Sequence, residues 1–162
     1  MTESPRPTLR VAMVGHAFMG NAHSQAWRTA PRFFDLPLAP EMSLVVGHDA
    51  GRAAAAAGRL GWQESSADWR EAVARDDIDL VDICTPGNTH AEIAIAALRA
   101  GKHVLCEKPL GRTAPESHEL WQAAVAAGVV HMCGFNYRFV PAVRLAREMI
   151  AAGELGEIHG FH

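Results

Sequence analysis

A chain of 162 residues, 49% hydrophobic and 20% charged, has the balance of one soluble globular domain. That length hides roughly 70% of the unfolded surface, enough for a core without disulfide or metal staples. The formal net charge of −3 excludes the basic surface that nucleic acid or an anionic membrane would require.

The chain begins with a polar stretch, residues 1–8, that carries Pro5 and Pro7 and has no apolar core of a signal peptide. It is expected to be a flexible tail. No apolar run approaches the ~20 residues that span a bilayer, so the expected location is the cytoplasm.

From there strand and helix patterns alternate. Leu9 to Gly15 is an apolar strand, followed by a helix from Gly20 to about Ala30 that Pro31 is expected to stop. Pro31 to Pro40 holds three prolines and predicts a loop, and Ser43–Val46 is a second strand. Gly51–Leu60 is an alanine-rich helix ended by Gly61. A short strand is expected near Trp62–Glu64, then a helix capped by Asp68.

Leu80–Thr85 is a strand, and Thr89–Ala100 a helix that is apolar on most faces and therefore well buried. His103–Glu107 is the next strand. Thr113 and Glu116 are spaced as a capping box, with Pro115 in the first turn of a helix that runs to Ala127 and turns out at Gly128. Val129–Cys133 is a further strand. The last helix, about Pro141–Ala152, repeats Ala142, Leu145, Ala146 and Met149 along one apolar face and ends at Gly153. Glu157–His162 has the pattern of one more strand.

Strands separated by helices must pair in parallel through right-handed crossovers. The expected fold is therefore α/β, a Rossmann-type doubly wound parallel sheet over residues 9–153, with residues 154–162 as the start of a second domain. Cys84, Cys106 and Cys133 are odd in number, have no CxxC spacing and lie in apolar runs, which points to buried free thiols in a reducing compartment.

Four strand ends carry candidate chemistry. Gly15-His-Ala-Phe-Met-Gly20 follows the first strand. It matches the dinucleotide fingerprint G-x-G-x-x-G except that Ala17 stands at the middle glycine. Gly15 would make the tight turn and Gly20 the close helix–strand contact, with the amides of Phe18 and Met19 aimed at pyrophosphate. At the second strand's end the ribose position falls on Gly47, His48 and Asp49. Asp49 either binds a ribose hydroxyl or caps the next helix, while His48 and Arg52 tolerate a 2′-phosphate, so NAD and NADP both stay open.

Thr85-Pro-Gly-Asn-Thr-His90 and Cys106-Glu-Lys-Pro109 close two later strands. Asn88 and His90 either hold cofactor or cap a helix. Lys108 is either a solvated loop lysine or a donor to a substrate hydroxyl, and Glu107 pairs with it or with ribose. His23, His103, His118 and His131 show no partner in the sequence and are expected to be packing or surface residues. No HxxxH pair supports a metal site.

Taken with Gly134-Phe-Asn-Tyr-Arg-Phe139, these motifs resemble the Gfo/Idh/MocA oxidoreductases, the glucose-fructose oxidoreductase and inositol dehydrogenase group. The resemblance runs from Leu9 almost to the end. It implies hydride transfer between NAD or NADP and a hydroxyl or carbonyl carbon of a sugar, cyclitol or similar small molecule, in a protein that can form homo-oligomers. It implies that Lys108 is the catalytic lysine and that Gly15, Ala17, Phe18, Met19 and Gly20 cradle pyrophosphate. It also implies that Thr85, Pro86, Asn88 and His90 border the cofactor, and that Asn136, Tyr137 and Arg138 lie on the nicotinamide side. The family's second, α+β domain supplies an acid and a histidine that would lie beyond His162, so little turnover is expected of these 162 residues alone. A non-catalytic dinucleotide-sensing module and an inactive fragment are the alternatives.

Overall fold

The computed structural model describes residues 6–160. Six parallel strands form one sheet in the order β3-β2-β1-β4-β5-β6. They are β1 (Thr8–Val14), β2 (Ala39–Val46), β3 (Glu64–Ser66), β4 (Leu80–Ile83), β5 (His103–Cys106) and β6 (His131–Cys133). Helices α1 (Phe18–Phe33), α2 (Ala50–Leu60), α3 (Trp69–Ala74), α4 (His90–Arg99), α5 (Ala114–Ala127) and α6 (Pro141–Ala151) join or follow them. The strand order reverses between β1 and β4, the switch point beyond which such sheets bind ligands.

The central strands are apolar on both faces because helices cover both. Val11, Met13 and Val45 pack on one side with Ala56, Ala57, Leu60 and Trp62 from α2 and its end. Ala12, Val14, Val81, Ile83 and Val104 pack on the other with Ala72, Ile93, Ala97 and Leu120 from α3, α4 and α5.

Several expected boundaries move. Pro31 does not stop α1, which continues to Phe33 with the proline inside it. The missing amide falls in the final turn, so one late hydrogen bond is lost and the helix still closes through Phe34 N–H to Ala30 O at 2.9 Å. Strand β2 begins at Ala39, inside the expected loop. Pro40 is tolerated because there β2 pairs only with β1; β3 meets β2 only at Leu44–Val46. The expected tail is also shorter: Arg6 pairs with Asp35 at 2.6 Å, Pro7 O accepts from Ala39 N–H, and β1 starts at Thr8. Residues 1–5 lie outside the described part.

The capping signals are largely as expected. Asp68 accepts from Arg70 N–H, and Gly61, Gly101 and Gly128 take positive φ at helix ends. Thr113 caps α5 through Glu116 N–H, but Glu116 does not return the bond to Thr113; its carboxylate takes the amide and guanidinium of Arg112. The strand expected at Glu157–His162 is absent over residues 157–160, which have no neighbouring strand to pair with; residues 161–162 are outside the described part. The apolar face of α6 forms as a helix, yet none of its residues is buried.

Candidate functional site

The C-terminal ends of β1, β4 and β5 converge on one rim. Gly15 has φ +98°, and a Cβ there would meet Cys84 C and O at 2.8 Å and Thr85 N at 2.9 Å. Only glycine permits both the turn and that approach. A Cβ on Gly20 would lie 2.2 Å from Gly15 O, so the start of α1 is pressed onto the turn. The first intrahelical bond runs from Asn21 N–H to Ala17 O, and no side chain caps α1. By contrast α2, α3 and α5 are capped by Asp49, Asp68 and Thr113. The amides of Phe18 and Met19 therefore open the helix toward the rim, with the Phe18 side chain 82% exposed.

The end of β2 joins the same rim. A Cβ on Gly47 would lie 2.3 Å from His16 Nε2, so the ring of His16 lies against the position expected for ribose binding. Asp49 caps α2 by accepting from Arg52 N–H at 2.8 Å, which holds its carboxyl below the usual range. Its capping reading is thus realised. His48 is exposed beside it.

Next, the β4 and β5 loops are tied together. His90 is 1% exposed, with Nδ1 2.9 Å from Pro109 O and Nε2 2.8 Å from Thr85 O. Both ring nitrogens are committed to backbone carbonyls. This corrects the expectation of a cofactor-holding or helix-capping side chain: His90 is a buried tie between two loops. Thr89 Oγ1 bonds Thr85 Oγ1 and Pro86 O. Pro86 and Asn88 are exposed on this loop.

Lys108 follows β5 and precedes a cis Lys108–Pro109 bond. Its side chain is exposed and makes no hydrogen bond or ion pair among the described residues. Glu107 is buried and does not pair with the Lys108 ammonium, nor is its carboxylate open to a ribose. Its Oε2 accepts from Lys108 N–H at 3.1 Å and its Oε1 lies 3.2 Å from His23 Nε2. The physical reason is the tight cover over it: a Cβ on Gly134 would lie 2.7 Å from Glu107 Oε1. Asn136, Tyr137 and Arg138 follow in an exposed 3₁₀ turn, Asn136–Phe139.

His23 is the residue that sequence reasoning missed. From α1 its Nδ1 reaches Asp82 Oδ1 at 2.9 Å, and Asp82 also accepts from Trp27 Nε1 at 2.7 Å. Burial would lower the His23 pKa, but the hydrogen bonds and charges of Asp82 and then Glu107 raise it above 6.5. The available signal was Asp82, a lone carboxylate inside an apolar strand, which must find donors when buried.

His23, Asp82 and Cys84 lie within 4.8 Å of one another, close enough to share a metal ion. The donors are otherwise engaged. Burial and then Asp82 push the Cys84 thiol far up, so it stays protonated and donates to Asp82 at 3.6 Å. Cys106, pushed up to about 12 by burial first, is likewise a thiol.

A tight glycine turn, an uncapped helix start and a lysine turn share one rim at a sheet's switch point. Residues 9–135 match the Gfo/Idh/MocA oxidoreductase family in its NAD-binding Rossmann fold. The chain belongs to that family. It is 46% identical to levoglucosan dehydrogenase of Pseudarthrobacter phenanthrenivorans over 154 residues, 94% of this chain and 40% of that protein. An oxidoreductase domain protein from Kribbella flavida has 56% identity and a TM-score of 0.89, covering 93% of this chain and 41% of its own. A levoglucosan dehydrogenase solved in complex with NADH has 46% identity and a TM-score of 0.91, with 93% and 41% covered. The chain thus spans about 40% of the length of these relatives.

Proposed function

We propose that this chain is the dinucleotide-binding part of a cytoplasmic NAD- or NADP-dependent dehydrogenase acting on a sugar, cyclitol or related small molecule. The carrying observation is the locked rim. Gly15 abuts Cys84 and Thr85, His90 bonds Thr85 O to Pro109 O, and Lys108 sits beside that proline. One rigid edge therefore presents the phosphate turn and the lysine together. Three free cysteines, two of them buried, suit a reducing compartment.

In this reading Gly15, Ala17, Phe18, Met19 and Gly20 receive pyrophosphate on backbone amides at the start of α1. The close approach at Gly15 and Gly20 fits that role, since it leaves no side chain between strand and helix. His48 and Asp49 stand at the adenosine end, and Thr85, Pro86 and Asn88 border the crevice. Asn136 and Arg138 flank its nicotinamide end. When bound, the dinucleotide supplies or accepts hydride. Lys108 donates a hydrogen bond to the substrate oxygen as charge develops there, or takes up its proton. Residues beyond this chain would complete the substrate pocket, and a homo-oligomer fits the whole enzyme.

Calorimetric titration of the chain with NADH and with NADPH tests the reading. Saturable binding of one or both is expected, and a preference names the cofactor; no heat from either refutes it. In the full-length enzyme Lys108→Ala should lower turnover by on the order of 10²-fold or more with dinucleotide affinity nearly unchanged. Equal losses would make Lys108 a cofactor ligand instead.

A further inference from the structure

Asp82 is 0% exposed and Glu107 5% exposed, both on the face of the sheet beneath α1. A buried carboxylate is costly unless its charge is matched and its oxygens receive donors. Among the described residues no lysine or arginine reaches either one. The groups facing them are Trp27 and His23 from α1, Cys84 beyond β4, and the Lys108 backbone amide. Cys106 Sγ points to Glu107 O, not to its carboxylate.

His23 is thus the one side chain touching both carboxylates that can carry positive charge. Its Nδ1 lies 2.9 and 3.0 Å from the two Asp82 oxygens, and its Nε2 3.2 Å from Glu107 Oε1. A neutral imidazole has one N–H and would turn a lone pair on one carboxylate; a ring protonated at both nitrogens donates to each. Glu107 then passes the constraint on, because its other oxygen holds the Lys108 amide. The same helix α1 begins at the phosphate turn.

We propose that His23 is the positioning residue for the lysine turn, bracing Glu107 and Lys108 against the helix that receives the dinucleotide by donating from both ring nitrogens. The proposal rests on the reading of Lys108 as the group beside the reacting carbon. The raised affinity of His23 for its proton agrees with it.

Backbone amide exchange of this chain, followed by NMR, tests the brace. At about pH 6 the His23 ring should show N–H at both nitrogens. The Lys108 amide should exchange at least about tenfold faster in His23→Gln, with the amides of Val104 and Cys106 unchanged. In the wild type, corrected for intrinsic base catalysis, Lys108 protection should fall as pH rises through the His23 titration. Glu107→Gln should abolish that pH dependence, which also decides the matter if His23→Gln fails to fold. Lys108 exchange insensitive to both pH and substitution, or a ring with a single N–H at about pH 6, overturns the proposal. NADH titration of the same samples separates the two readings. Binding without pH-linked protection sinks the brace alone, whereas pH-linked protection without binding sinks the proposed function alone.

Discussion

The rim built by α1, β4 and β5 and the segment from β6 through α6 contain similar residue types and behave oppositely. Beneath the rim even charged groups are covered and paired: buried Asp82 and Glu107 lock onto half-buried His23, and no buried side-chain polar atom among the described residues lacks a partner. Along α6 even the apolar groups are uncovered, with Leu145 58% exposed and no residue buried. A groove of about 360 Å³, walled by Trp121, Met132, Phe135 and Phe139, continues that open surface beside β5 and β6. The difference teaches that residue type alone does not decide burial here. What decides it is whether a neighbouring element arrives at the same place, and α1 arrives over β4 whereas nothing described arrives over α6.

The sharpest way to break this contrast is Gly20→Ala. Its new Cβ would lie 2.2 Å from Gly15 O, where backbone cannot yield cheaply. A loss of about 3 kcal/mol in denaturant unfolding is expected, at the upper end for overpacking. A loss below 1 kcal/mol, roughly the lower end of that range, would mean the turn is loose. Trp27→Phe keeps the ring but removes the Nε1 donor to Asp82. Leaving a buried carboxylate one donor short should cost about 2 kcal/mol, measured the same way.

pH sharpens the comparison further. The folded His23 value is raised above 6.5, so its stabilisation is complete below 6.5 and is lost as pH rises through the raised value. The unfolding midpoint should therefore fall as pH rises from about 6.5 through the raised His23 value, and His23→Gln should flatten that stretch. An unchanged slope in the variant would assign the effect elsewhere. The smallest expected effect lies on the other region: Leu145→Gln should shift stability by no more than about 0.5 kcal/mol. A large loss there would show that α6 packs in solution.

Much of the fold was legible because its signals are local. Apolar runs marked β1, β2, β4, β5 and β6, whereas β3 formed at Glu64–Ser66, past the expected Trp62–Glu64; Asp68, Thr113, Gly61, Gly101 and Gly128 marked helix ends by the chemistry of their own few bonds. Pro31 and Pro40 misled because a proline's cost depends on which neighbour would have used its missing amide. Glu116 misled for a related reason, since Arg112 outcompeted Thr113 for its carboxylate. Of the candidate site, the Gly15 turn lies against Cys84 and Thr85, His90 ties Thr85 to the proline after Lys108, and Asp49 resolved to its helix cap.

The amino-acid order by itself determined the alternation of strands and helices, their parallel arrangement and the candidate strand-end motifs. Each depends on periodicity and on contacts within a few residues. Only the tertiary structure decided that His90 is a tie and that His23 joins Asp82 and Glu107 across 59 and 84 residues of chain. Hydrogen bonds at that separation leave no period in the sequence; they arise when the crossover lays α1 across β4 and β5 and water is excluded from between them.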